Sequence, residues 1–189
     1  MILDRSKRVS PSEYPSEPTR LLKTLGLFRA PVDVQAVAKK LGIEIAEANL
    51  DNSHSAFLVI KNNKPRIFLS KRHHPNRQRF SIAHEIGHFL LHHVPSAKEN
   101  GLYIDERLDL YYRKSVPANG AIDFALERQA NRFAAELLMP KGLVEQYMED
   151  ENLDILEENA MRKLALAFKV SEQAMLIRLL DFGLVSSAV

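Results

Sequence analysis

The chain has 189 residues, a formal net charge of +2, 46% hydrophobic and 26% charged residues, values typical of one soluble globular domain. This composition excludes a chain that is disordered throughout, and no stretch of about 18 to 20 uncharged apolar residues predicts a membrane helix. The chain contains no cysteine, which excludes disulfides, a thiolate nucleophile and a cysteine zinc site. Because the first residues also lack an apolar signal core, we expect a cytoplasmic protein whose metal site must use His, Asp and Glu.

The N-terminal quarter predicts two short helices. Residues 1–17 have little apolar periodicity and are expected to form a flexible arm. Apolar spacing then predicts one helix through Leu21–Phe28 and another through Val34–Leu41, with Asp33 as its N-cap and Gly42 as its stop.

Strand patterns follow the second helix. Three segments have β-type composition: Ile43–Ala46, Ser55–Ile60 and Arg66–Ser70. A turn-rich link joins the last two, so we expect an antiparallel hairpin within a small sheet.

The remaining chain is mainly helical. Pro75, which is tolerated at a first helical turn, starts a pattern that continues to Leu91. Residues 94–120 break this pattern and predict an excursion with one or two edge strands. A second long helix is expected over 122–139, followed by two short helices at 159–168 and 172–181.

The first long helix contains the string His84-Glu85-Ile86-Gly87-His88. Residues four apart lie on one helical face, about 5 to 6 Å from each other, so both imidazoles can bind one ion while Glu85 projects beside it. This His-Glu-x-x-His spacing is that of zinc peptidases, in which the Glu acts as general base. A catalytic zinc site also needs a third protein ligand.

Four residues are candidates for that third ligand: His92, His93, Glu127 and Glu136. His92 would stand about 12 Å along the helix from His84, so we expect it to pack or hydrogen-bond on the continuing helical face. Glu127 is preferred, because it can reach a neighbouring antiparallel helix while Asn131, one turn later, orients a zinc histidine. Glu136 is expected to be a structural or surface carboxylate.

Two long segments around these residues, Arg79–His92 and Glu127–Pro140, closely resemble the ImmA/IrrE family of metallopeptidases. Val32–Ile43 and Phe168–Leu179 are similar to that family as well, whereas the N-terminal arm and residues 94–120 are not.

The resemblance implies a thermolysin-like zinc core, with one Zn²⁺ bound by His84, His88 and Glu127 and with Glu85 as catalytic base. It also implies a cytoplasmic endopeptidase that cleaves a helix-turn-helix transcriptional repressor and thereby switches on genes of stress responses or mobile elements. The expected fold is α+β: two long helices and a small mixed or antiparallel sheet, flanked by short helices that include a helix-turn-helix-like tail. The expected division is an arm at 1–17, a metallopeptidase domain at 18–158 and a helical extension at 159–189 packed on it.

Peptidases of this kind usually carry a second electrophile for the developing oxyanion. The sequence does not rank the residues that could supply it or contact substrate: His92, His93, Tyr103, Tyr111 and Tyr112.

The charge distribution raises an alternative function. A basic run without acids extends from Lys61 to Arg79, and an acidic run without bases extends from Glu145 to Glu158. We interpret both as solvated faces, because nucleic-acid-binding domains usually carry a larger net positive charge.

The alternatives are a DNA-binding regulator that uses the helical tail and a metal-sensing regulator without turnover. The second tail helix offers only Arg178 as a cation, whereas groove binding needs several, so direct DNA binding is the weaker interpretation. The intact Glu85 argues against loss of turnover. No membrane partner is expected.

Overall fold

The computed structural model describes Tyr14 and residues 17–50, 55–62, 64–92, 120–157 and 159–185, with the backbone alone at 120–123. The elements in chain order are α1 (Pro18–Leu25), α2 (Val34–Lys40), β1 (Glu44–Ala48), β2 (Ala56–Lys61), β3 (Lys64–Ser70), α3 (Pro75–Leu90), α4 (Gly120–Leu138), α5 (Lys141–Asp150), α6 (Ala160–Phe168) and α7 (Glu172–Phe182). The predicted α+β class is confirmed. Residues 94–119 of the predicted excursion lie outside the described residues. None of the described helices is long and apolar enough to cross a membrane.

Side-chain caps set the ends of the first two helices. The Glu17 carboxylate accepts the backbone N–H groups of residues 19 and 20 at 2.8 and 2.6 Å, which starts α1. Gly26, at φ 67°, ends α1 at Leu25, earlier than the predicted Phe28. Asp33 caps α2 as predicted, since its carboxylate accepts the Ala36 N–H at 2.9 Å.

The arm predicted at 1–17 remains a prediction. The structure describes two of its residues, Tyr14 and the cap Glu17. Tyr14 packs against the core and donates its hydroxyl to the Lys40 carbonyl at 3.1 Å.

The strands form a mixed sheet in the order β1-β3-β2. The predicted hairpin is confirmed: β2 runs antiparallel to β3, with Leu58 opposite Ile67. β1 pairs parallel to β3, with Ile45 opposite Ile67. Leu58, Ile67 and Leu69 are buried on the face toward the core, and Phe57 stacks on Phe68 on the other face, with ring centroids 5.0 Å apart.

The two long helices pack closely against each other. α3 begins at Pro75 as predicted, with the His74 Nδ1 accepting the Asn76 N–H at 3.2 Å. From Ser81 to Leu90 almost every α3 residue is buried. Gly87 allows the closest approach, because a Cβ atom there would stand only 3.1 to 3.2 Å from Phe133 of α4.

The tail follows its predicted pattern, and α5, which precedes the tail, is a helix that the sequence did not predict. The Ser171 hydroxyl caps α7 by accepting the Ala174 N–H at 3.1 Å. α5 was missed because it buries little more than Leu143 and Val144 and lies in the acidic run that we interpreted as a solvated face.

Several cations of the basic run have partners within the fold. Arg66 pairs with Glu44 of β1 at 2.6 Å, and Lys71 pairs with Glu47 of the same strand. Arg79 points inward, and its Nη2 donates to the Val32 carbonyl at 2.9 Å. These cations therefore have partners within the fold, although the two exposed ion pairs to β1 contribute little to stability.

Candidate metal centre

α3 and α4 bring together His84, His88 and Glu127. The two imidazole Nε2 atoms lie 2.9 Å apart. The Glu127 carboxylate oxygens lie 3.2 Å from His84 Nε2 and 3.3 Å from His88 Nε2. Among the third-ligand candidates that the structure describes, Glu127 is the one that joins the two histidines.

Asn131 sets the orientation of His84. Its Oδ1 lies 3.0 Å from His84 Nδ1, and an amide oxygen can only accept, so Nδ1 is the nitrogen that carries the proton. In the neutral imidazole this leaves Nε2 unprotonated, with its lone pair facing His88 and Glu127. This is the tautomer that a metal-binding histidine needs when its other nitrogen has a partner.

Glu85 is almost completely enclosed, with 6% of its surface exposed. The backbone N–H of Leu58, in β2, donates to its carboxylate. Its Oε2 is buried without a hydrogen-bond partner among the described atoms. Burial raises the pKa of Glu85, as does the charge of Glu127, against the lowering effects of His84, His88 and Leu58. A buried oxygen without a partner costs about 1 to 3 kcal/mol, which indicates a site built to receive a further group.

The cluster attracts positive charge. Hydrogen bonds from His84 and His88 hold the pKa of Glu127 well below its usual range. Burial lowers the pKa of His84, but the hydrogen bond to Glu127 and the charge of Glu85 outweigh this effect, so its pKa is raised. The carboxylates thus favour a cation at the imidazole nitrogens, either a proton or a metal ion.

The donor set fits a metal ion of the zinc type. Two imidazole nitrogens and one carboxylate oxygen leave a fourth position open, as in catalytic zinc sites. Donors 2.0 to 2.1 Å from a tetrahedral ion stand about 3.3 Å apart, close to the 2.9 to 3.3 Å found between these atoms. The site opens to solvent beside Glu127, whose side chain is 49% exposed against 3% for His88.

Other predicted site residues lie apart from this cluster or outside the described residues. α3 ends at Leu90 and His92 is exposed beyond it at φ 57°, so the continuing helical face on which it was expected to pack or hydrogen-bond does not exist at this residue. Glu136 is half-buried and its charge acts on Arg178. His93, Tyr103, Tyr111 and Tyr112 lie outside the described residues.

One contact of the site was missed by the sequence analysis. The donor from Leu58 to Glu85 is a backbone group, which leaves no signal in the side-chain pattern. Finding it required the position of β2 relative to α3.

Arg178, the lone cation of the second tail helix, lies inside the fold. It is 8% exposed, its Nε donates to the Met139 carbonyl at 3.1 Å, and its guanidinium lies 4.4 Å from the Phe182 ring centroid. Burial lowers the pKa of Arg178, while the charges of Glu136 and Asp181 raise it. A guanidinium in this position binds the carbonyl that follows α4 and does not face a phosphate backbone.

The family model Peptidase_M78, described as the IrrE N-terminal-like domain, matches residues 38–180. A search of curated proteins finds no significant match. Among solved structures, a Mycobacterium tuberculosis transcriptional regulator is 17% identical, with a TM-score of 0.48, over 77% of this chain and 39% of that chain. The present chain thus spans well under half of that regulator.

Proposed function

The chain belongs to the Peptidase_M78 family, and we propose that it is a zinc-dependent endopeptidase that cleaves a helix-turn-helix transcriptional repressor. The observation that carries this proposal is the convergence of His84, His88 and Glu127 beside the buried Glu85. A structural ion-pair network would not need an unpartnered carboxylate oxygen at its side, because burying one destabilises the fold.

In this proposal one zinc ion per chain is held by the Nε2 atoms of His84 and His88 and by the Glu127 carboxylate. When bound, zinc supplies Lewis acidity: it lowers the pKa of a coordinated water to about 7 and polarises the peptide carbonyl. Asn131 keeps His84 in the required tautomer through the 3.0 Å contact to Nδ1.

Glu85 is proposed as the general base. Its carboxylate accepts the proton of the attacking water and returns it to the leaving amine. Burial raises the pKa of Glu85, which suits a group that must both accept and release a proton near neutral pH. Leu58 donates to this carboxylate and Oε2 has no partner among the described atoms, which supports Oε2 as the oxygen that receives the proton.

The repressor substrate and the cytoplasmic location are proposed from the resemblance to the ImmA/IrrE family. In the same proposal residues 18–158 form the peptidase domain and the tail is packed on it. The DNA-binding alternative gains no support, because Arg178 is buried against Met139. The other alternative, a metal-sensing protein without turnover, differs from the peptidase in that it binds zinc but does not cleave the repressor.

The test compares wild type with Glu85→Gln, each with zinc and with a chelator, on every helix-turn-helix protein that the neighbouring genes encode. Intact mass of the repressor should show one cleavage that needs zinc and occurs with wild type alone. Zinc should bind both proteins with one equivalent. Cleavage by Glu85→Gln would refute the assigned base, and stoichiometric zinc with a stable uncleaved complex would favour a sensing protein.

A further inference from the structure

A cleft of about 660 Å³ lies where three distant segments of the chain meet. Its lining comes from residues 29–35 at the start of α2, from the first two turns of α3 and from Lys169 after α6. The residues that form the metal centre do not line it. Binding sites for small molecules measure about 300 to 1,000 Å³, so this cleft has the size of such a site.

Three cations and one acid line the cleft: Arg29, Arg79, Lys169 and Asp33. Asp33 interacts electrostatically with Arg79, so these two charges offset each other. Arg29 and Lys169 are exposed, and within the described ranges neither side chain has an ion pair or a hydrogen bond. Glu172, three residues after Lys169, does not line the cleft. The lining therefore has a net charge of +2 from three cations and one acid.

This charge favours a phosphate group as the ligand. A phosphate monoester has a charge of about −1.5 to −2 at pH 7, which matches the lining, whereas a single carboxylate has only −1. Guanidinium and ammonium groups are also the side chains that proteins use to bind phosphate. Pro75 and Asn76 at the amino end of α3 line the same cleft, and the dipole of this long helix adds positive potential there.

Two amide side chains in the lining indicate what else the ligand carries. Asn76 Nδ2 donates to the Val170 carbonyl at 2.9 Å, and Gln78 Nε2 donates to the His73 carbonyl at 2.9 Å. Because these bonds fix the orientation of each amide, Asn76 Oδ1 and Gln78 Oε1 are left as acceptors. Neither oxygen has a hydrogen-bond partner in the part of the chain that the structure describes. A ligand with hydroxyl groups supplies the matching donors.

We infer that this cleft binds a small phosphate monoester that carries hydroxyl groups, as sugar phosphates and nucleoside monophosphates do. Arg29 and Lys169 bind the phosphate. The hydroxyl groups donate to the amide oxygens of Asn76 and Gln78. Such a ligand contacts the start of α2, the start of α3 and the end of α6 at once, so its binding stabilises the fold.

The test measures binding to the full chain by isothermal titration calorimetry at low and high salt. The probes are ribose 5-phosphate and adenosine 5′-monophosphate, which separate a sugar phosphate from a nucleotide. Three comparison compounds are inorganic phosphate, ribose without phosphate, and succinate, whose two carboxylates have the same total charge. Each titration is done with zinc and with a chelator, because phosphate can also bind a metal ion.

At least one of the two probes should bind about tenfold or more tightly than inorganic phosphate and succinate, and ribose should not bind. Its affinity should be the same with zinc and with the chelator, and salt should weaken it. The bound ligand should also raise the melting temperature, because it binds the folded state alone.

A pair of double variants tests the position of the site. Arg29→Gln/Lys169→Gln should weaken binding of the probe about tenfold or more, because both free cations of the lining are lost. The matched control Arg20→Gln/Arg162→Gln removes the same charge at two exposed positions outside the lining. The control should change the affinity by less than about twofold.

Several outcomes would overturn the inference. Absence of binding by both probes would refute the site, and equal losses in the two double variants would show a general attraction to the surface charge. Succinate binding as tightly as the probes would show that phosphate is not recognised. Binding that requires zinc would place the ligand at the metal centre.

The melting temperature of each variant without ligand shows whether it is folded. If Arg29→Gln/Lys169→Gln melts lower than wild type, Arg29→Gln alone replaces it, and undiminished binding by this single variant would refute the assigned phosphate contact. The result does not depend on cleavage, so failure of this test and failure of the proposed peptidase activity can be distinguished.

Discussion

Replacing Arg79 should destabilise the protein, because this side chain joins three segments that are distant in sequence. Its Nη2 donates to the Val32 carbonyl at 2.9 Å and approaches the Phe168 carbonyl at 3.4 Å, and its Nε reaches the Lys169 carbonyl at 3.3 Å. The last two carbonyls belong to the C-terminal end of α6, where the helix dipole favours a cation. Arg79 of α3 therefore connects the entrance to α2 with the tail.

The magnitude follows from these contacts. A hydrogen bond to a charged group contributes about 1.5 to 3 kcal/mol, and we assign this value to the 2.9 Å bond alone. The two longer contacts add about 1 kcal/mol together. Removing a half-buried charge stabilises the fold by a similar amount, because that charge no longer has to be desolvated. Arg79→Met should therefore lower the free energy of unfolding by about 1.5 to 3 kcal/mol, or the melting temperature by about 3 to 12 °C.

Urea and thermal unfolding of the metal-free protein, followed by circular dichroism, measure this effect. Arg77→Met is the matched control, because Arg77 lies on the same helix but is exposed and donates to the Ser55 hydroxyl. The control should change stability by less than about 0.5 kcal/mol. The reasoning fails if Arg79→Met stays within that range, or if both substitutions cost the same.

Three further predictions concern the metal centre. Asn131→Ala should weaken zinc binding about 10- to 100-fold in competition with a chelator, while Asn131→Asp, which keeps an acceptor for His84, should lose much less; equal losses would contradict the tautomer argument. Gly87→Ala should stabilise the protein by about 1 kcal/mol through helix propensity, but crowding against Phe133 should cost about 1 to 3 kcal/mol. Both net stability and zinc affinity should therefore fall. An unchanged zinc affinity would show that the helix spacing does not control the site. Zinc affinity should also fall as pH decreases through the raised pKa of His84, because the proton and the metal compete for the same nitrogen; titrations at pH 8 and pH 6 that give one affinity would contradict this.

Local features of this protein were predictable because their signals lie within one or two helical turns. Asp33 and Ser171 cap their helices as the sequence indicates, and Pro75 starts α3. The pairing of His84 with His88 follows from helical periodicity alone. The preference for Glu127 came from its place on a second helix beside Asn131, and the structure brings Glu127 into contact with both histidines.

The features decided by tertiary structure are contacts between distant segments. The parallel pairing of β1 with β3, the backbone donor from Leu58 to Glu85 and the inward position of Arg178 have no local signature. The sequence does not show whether a charged residue faces water or a buried carbonyl. It also does not distinguish one backbone N–H group from another. Helix start points, helical faces and the spacing of metal-binding side chains are therefore determined locally, whereas burial, pKa and the choice of hydrogen-bond partner depend on which segments the fold brings together.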